Sequence, residues 1–147
     1  MNSIFTFVLA ALASQIVAQP TEAPVCPDWS VAPLQHRWSH ADTFVANDPV
    51  ILRWNTTNGN LEYIQDVALF SANNNEFLHT QYRSYPGAVA TTGELSFALS
   101  VPLCLQREGV YYLGVYGTTL EGDSCFKKSP DFQLTADPQG DYSVCYL

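Results

Sequence analysis

The stretch GELSFALSVPLCLQREGVYYLGVYG, residues 93–117, constrains the fold of this chain more than any other. Leu95, Phe97, Leu99 and Val101 alternate with Ser96, Ala98 and Ser100, which is the period of a strand that buries one face. Pro102 has no amide hydrogen to continue a ladder, and ends that strand. Beyond Gly109, the residues Val110, Tyr112 and Gly114 alternate with Tyr111, Leu113 and Val115. This second strand is apolar or aromatic on both faces and is expected to lie centrally in its sheet.

The rest of the chain repeats this punctuation. A weak strand over 31–38 is interrupted by Pro33, which confines it to an edge. Short strands are expected at 50–54, 77–82 and 132–134. Another at 64–70 sets Ile64, Asp66, Ala68 and Phe70 against Gln65, Val67 and Leu69. Polar or turn-forming clusters separate them: Asn47-Asp48-Pro49, residues 55–60, Asn73-Asn74-Asn75, and 84–92 with Pro86 and Gly87. No segment sustains a helical period. The expected fold is an all-β, disulfide-stapled sandwich of immunoglobulin or fibronectin type with about seven strands and under about a tenth α-helix.

Residues 1–18 read as a secretory signal, with an apolar core at 4–12 too short to span a bilayer and Ala18 at the cleavage point. Residues 19–29 follow as an exposed leader, and 30–147 as one β-sandwich domain. The C-terminus shows no hydrophobic tail of the kind a GPI signal requires, so the expected mature chain is soluble, secreted, and found outside the cell or at its wall. A net charge of −8, with only six Lys plus Arg, disfavours nucleic acid and anionic membranes as partners.

The cysteines Cys26, Cys104, Cys125 and Cys145 are an even set, none spaced C-x-x-C, which points to two disulfides. In a seven-strand sandwich, Cys26 and Cys125 fall at one end, and Cys104 and Cys145 at the other. Bridging needs Cα atoms within about 7 Å, while the strand beginning near Gly109 spans roughly 25–30 Å. Cys26–Cys125 and Cys104–Cys145 are therefore the expected pairs. A zinc site is the rival, but His36 and His40, four apart, have no cysteine pair beside them. Neither a metal nor any other cofactor is expected.

One family resemblance rests on these landmarks: Trp54 closing a β-run, then Val67, Leu69 and Phe70, the Gly93 strand ending in Val101-Pro102, Gly109 before Tyr111-Tyr112, and Ser129-Pro130-Asp131-Phe132. Over roughly residues 40–136 the chain resembles the immunoglobulin-like N-terminal domain of fungal cell-wall β-1,6-glucan synthesis proteins and Ser/Thr-rich GPI-anchored wall proteins. The resemblance implies a scaffold at the fungal wall without catalytic residues. The chain departs from the anchored relatives in lacking a Ser/Thr-rich stalk.

Catalytic constellations are weak. The sequence has no G-x-S-x-G elbow for a serine hydrolase. His36, His40 and His79 form no set with Glu62 and Arg83 specific to a ribonuclease. A copper oxygenase needs an N-terminal histidine, whereas cleavage after Ala18 leaves Gln19. Glu62, Asp66 and Glu94 offer carboxylates for glycoside hydrolysis with no distance to support them. Aromatic residues are the better lead, at 13% of the chain, because flat rings stack on sugars or anchor protein interfaces. Trp54 and one face of Tyr111-Tyr112 are assigned to the core, leaving Tyr82, Tyr85 and Tyr116 as candidate binding residues. Asn55-Thr56-Thr57 is an N-glycosylation sequon in an expected loop. The expected function is non-catalytic binding of a wall polysaccharide, a β-glucan. The alternative is an effector-like module that binds a host or wall protein.

Overall fold

The computed structural model describes residues 28–56 and 60–146. The expected signal, the leader up to Pro27, Cys26 and Thr57 of the sequon lie outside them. The chain forms β1 (Trp29–Val31), β2 (Gln35–His36), β3 (Thr43–Val45), β4 (Pro49–Thr56), β5 (Leu61–Ser71), β6 (Phe77–Val89), β7 (Glu94–Ala98), β8 (Gly109–Thr119), β9 (Ser124–Lys128) and β10 (Phe132–Thr135). The only helical elements among the described residues are short 3-10 turns at Ala90–Thr92, Leu103–Leu105 and Tyr142–Tyr146.

Two sheets result. In the four-stranded sheet, β1, β2 and β7 all pair with β4. The six-stranded sheet runs β3-β10-β8-β5-β6, with β9 also on β8. The β3–β10 pairing is parallel, and the others are antiparallel. Val50, Leu52 and Trp54 of β4 share a single core with Ile64, Val67 and Leu69 of β5 and Leu113 and Val115 of β8. The molecule is thus an all-β, sandwich-like fold, and Trp54 lies in its core as expected, its indole N–H donating to the Ala90 carbonyl at 2.8 Å.

The 93–117 stretch forms its two expected strands, but the first, expected to run to Val101 and end at Pro102, stops at Ala98, because the Ser100 amide and carbonyl are taken by the Gln81 side chain instead of a neighbouring strand. Leu95 and Phe97 pack on the core from β7, Leu99 and Val101 are buried beyond it, and β8 is central, with β5 along one edge and β9 and β10 along the other. Tyr111 is buried near the start of β8, and its hydroxyl donates back to the Arg107 carbonyl at 2.7 Å. Burial, partly opposed by Arg107, raises this phenol's pKa above its ordinary value.

Elsewhere the strands depart from expectation in number and phase. Ten strands among the described residues replace about seven. The 31–38 segment is divided around Pro33 into β1 and β2, and Trp29, the last residue of the expected leader, is already buried. β3 and β9 carry one buried residue each, Phe44 and Cys125, too little alternation to be recognised. Residues 84–89, expected as loop, continue β6. Pro86 is tolerated because β6 is an edge strand that pairs only with β5, and Gly87 is needed because a Cβ there would lie 2.5 Å from the Ile64 carbonyl oxygen at φ +122°. In β5 the expected grouping of Ile64 with Asp66, Ala68 and Phe70 fails. Register shifts at Leu61/Tyr63 and Ile64/Asp66 flip the side-chain phase twice, so that Leu61, Ile64, Val67 and Leu69 all face inward. Asn55, expected in a loop, is an exposed residue of β4 opposite Ser30.

Cys104 and Cys145 form the expected disulfide, with Cα atoms 5.4 Å apart. It ties the C-terminal turn to the corner before β8. Gln106, buried beneath, completes the clasp: its amide donates to the Val101 carbonyl, and its carbonyl accepts from the Asp137 amide and the Tyr142 hydroxyl. Cys125 is also disulfide-bonded. It sits in β9 rather than in the expected loop, and its sulfur accepts from the Trp29 indole at 3.2 Å.

Candidate functional site

Because Tyr111, Leu113 and Val115 of β8 face the core, Tyr112, Gly114 and Tyr116 face outward from the six-stranded sheet. The register across four strands then writes this outer face in three rows. Phe77 of β6, Phe70 of β5 and Tyr112 of β8 form the first, Thr80, Ala68, Gly114 and Lys128 the second, and Arg83, Asp66, Tyr116 and Phe126 the third. Tyr85, two residues beyond Arg83 on β6, lies past the third row and lines the same groove.

The rings of these rows touch. Phe70 stacks on Tyr112 with centroids 5.2 Å apart, and Phe77 meets Phe70 edge-on at 5.9 Å. Tyr116 and Phe126 lie 4.8 Å apart. The Lys128 ammonium sits over the Tyr112 ring at 4.1 Å, and the Tyr112 hydroxyl donates to Asn75 Oδ1 at 3.0 Å. Gly114 joins the outer rows, since a Cβ at this position would lie 2.6 Å from Phe126 Cε2 and 2.8 Å from Phe70 Cε1. A side chain there would displace both rings. The result is an aromatic outer face whose rings are tilted against one another, with Tyr112 buried beneath it, Tyr85 90% exposed, and Tyr116 and Phe126 each about two-fifths exposed.

The third row also holds a polar pair. Arg83 Nε donates to Asp66 Oδ2 at 2.6 Å, while Asp66 Oδ1 is buried with no hydrogen-bond partner. Leaving such an oxygen unpaired costs about 1–3 kcal/mol. Asp66, Arg83, Tyr85 and Tyr116 together line a shallow groove of about 610 Å³. Burial, then the Asp66 charge, then Tyr112 raise the Tyr116 phenol above its ordinary pKa.

Of the three tyrosines singled out from sequence, Tyr85 and Tyr116 meet at this groove. Tyr82 does not. It stands opposite Val67, an inward position, and packs against the core. Phe70, Phe77, Tyr112 and Phe126 were missed, along with the Asp66–Arg83 pair. Alternation in β8 sets Tyr112 on the opposite face from Tyr111, but the other residues join the outer face only through cross-strand register, which no local pattern encodes.

His36 belongs to a different place, while His79 stands on β6 opposite Leu69. His36 Nε2 lies 2.7 Å from the Thr43 carbonyl, Nδ1 is 3.6 Å from Asp48, and the ring stacks on Phe44. These contacts brace β2 against β3. Among the described residues no group of three or more His, Cys, Asp or Glu is placed to hold a metal, and no helix is long and apolar enough to cross a membrane. No family model matches the chain, and comparison with curated proteins finds no match.

Proposed function

We propose that this chain is a secreted, non-catalytic sandwich of immunoglobulin type that binds a polysaccharide of the fungal cell wall, a β-glucan, on the outer face of its six-stranded sheet. The observation that carries this reading is the contiguous aromatic surface ending in Tyr116, Phe126 and Tyr85 with Asp66 and Arg83 beside them. Rings stack on the apolar faces of sugars, and adjoining polar groups take the hydroxyls. An open face suits a long polymer better than an enclosed pocket would.

Two features of the fold support the immunoglobulin type. The Tyr111 bond to Arg107, at the corner entering β8, has the form of the tyrosine corner of Greek-key sandwiches. The first strands also divide between the sheets: β1 and β2 join β4, whereas β3 joins β10. The N-terminal apolar segment and the disulfides support export. Asn55 belongs to the other sheet, so a glycan there would leave the aromatic face open.

Retention of the mature chain on insoluble wall β-glucan, chitin and cellulose tests the reading, with the β-glucans, cellulose among them, expected to hold it. Passage through every polysaccharide, with capture of a defined protein from host or fungal extract, would replace it with the protein-interaction alternative.

A further inference from the structure

We infer that Asp66 and Arg83 are the selective contact of this face, taking two adjacent hydroxyls of one neutral sugar ring, so that the ligand is a glycan whose internal residues keep neighbouring hydroxyls free. The inference rests on the polysaccharide reading and deepens it. Asp66 stands directly between Arg83 and Tyr116 in register, which puts a carboxylate and a guanidinium beside a ring on which a sugar can stack. Asp66 Oδ2 accepts from Arg83 Nε, while Oδ1 is buried without a partner, which leaves Asp66 short of hydrogen bonds at the edge of the groove. The Arg83 side chain is 70% exposed, and a guanidinium held through Nε keeps its Nη groups for a ligand.

A hydroxyl both donates and accepts. In the complex one hydroxyl donates to Asp66 Oδ2, which Arg83 Nε does not saturate, and its neighbour accepts from an Arg83 Nη group. A carboxylated or phosphorylated sugar matches less well, because it would meet Asp66 on a chain of net charge −8. Linkage then matters. A 1,4- or 1,6-linked glucan keeps its 2- and 3-hydroxyls free along the chain, whereas a 1,3-linked glucan has no adjacent free pair on its internal residues. A second shallow pocket shares Gln65, Tyr85 and Ser124 with the first, so Tyr85 stands as a post between two stations of an extended chain.

The test is affinity electrophoresis of the full chain and of Arg83→Gln, Asp66→Asn and Tyr85→Ala in soluble 1,3-, 1,4- and 1,6-linked β-glucans, in the same glucans after periodate cleavage of their adjacent diols, and in polygalacturonate. Melting temperatures serve as the control for folding. The wild type is expected to favour 1,4- or 1,6-linked chains, lose them on periodate treatment and ignore polygalacturonate. Arg83→Gln and Asp66→Asn should each weaken retention about tenfold and flatten the linkage preference, while Tyr85→Ala weakens all retained glucans alike. Equal retention of 1,3-linked or oxidised chains, or unchanged retention by both polar variants, overturns the inference and leaves the polysaccharide reading standing. No retention of any glucan by the wild type overturns both.

Discussion

Gly114→Ala probes the aromatic face with one carbon atom. Gly114 lies in β8 with its Cα facing outward between Phe126 and Phe70, and an added Cβ would lie 2.6 Å and 2.8 Å from their ring carbons. Ordinary contact begins at 3.4 Å, so the rings must retreat by about 0.6–0.8 Å. Overpacking of a closed core costs about 1–3 kcal/mol. Here Phe126 is partly exposed and has room to move outward, which places the cost near 1 kcal/mol, or roughly 3–6 °C in melting temperature for a domain of this size. Thermal melts followed by near-ultraviolet circular dichroism read the cost and the ring displacement, and glucan retention reads the function. The expected result is a small drop in stability with a larger loss of retention, because a stacking surface depends on the relative placement of its rings. Unchanged melting, dichroism and retention would show that the rings do not meet over Gly114. A loss above about 3 kcal/mol would show that the position belongs to the core.

Tyr85→Ala should leave stability within about 0.5 kcal/mol of wild type and weaken glucan retention by about 1–2 kcal/mol, whereas Trp54→Ala should cost about 3–5 kcal/mol of stability in denaturant melts; the reverse order would exchange their assignments. Removing the Cys104–Cys145 bridge, which closes a separation of 41 residues, should cost up to about 4 kcal/mol in the chain-entropy model, read as a lowered denaturation midpoint of Cys104→Ser/Cys145→Ser. Peptide mapping of unreduced protein should recover the Cys104–Cys145 cross-link and, for Cys125, a cross-link to Cys26. Tyr111 and Tyr116 have phenol pKa values raised above the ordinary 10.0, so their contribution to stability is complete below that pH and is lost as pH rises through the raised values. Melting temperature should therefore fall above about pH 10, and a Tyr116→Phe chain should fall less.

Period-2 alternation at 93–117 was enough to place β7 and β8, because a strand buried on one face must write that burial into its residues, although β7 stops at Ala98, short of the proline expected to end it. The same logic placed Trp54 inside and, from cysteine positions at opposite ends of the strands, paired Cys104 with Cys145. β3, β9 and the extension of β6 were not legible. Each presents few buried residues or contains Pro86 or Gly87, and is held by an existing edge rather than by its own pattern. The double phase shift of β5 lies further out of reach, since a bulge changes which residues face inward without changing composition. It is also what turns Val67 and Leu69 to the core and Asp66, Ala68 and Phe70 to the outer face. Local patterning thus specifies an all-β chain with its central strand, buried tryptophan and one staple. The outer face was decided by tertiary structure alone: Phe77, Phe70, Asp66, Tyr116 and Phe126 come from four strands scattered along the chain, and only hydrogen-bonded register brings their side chains into one surface.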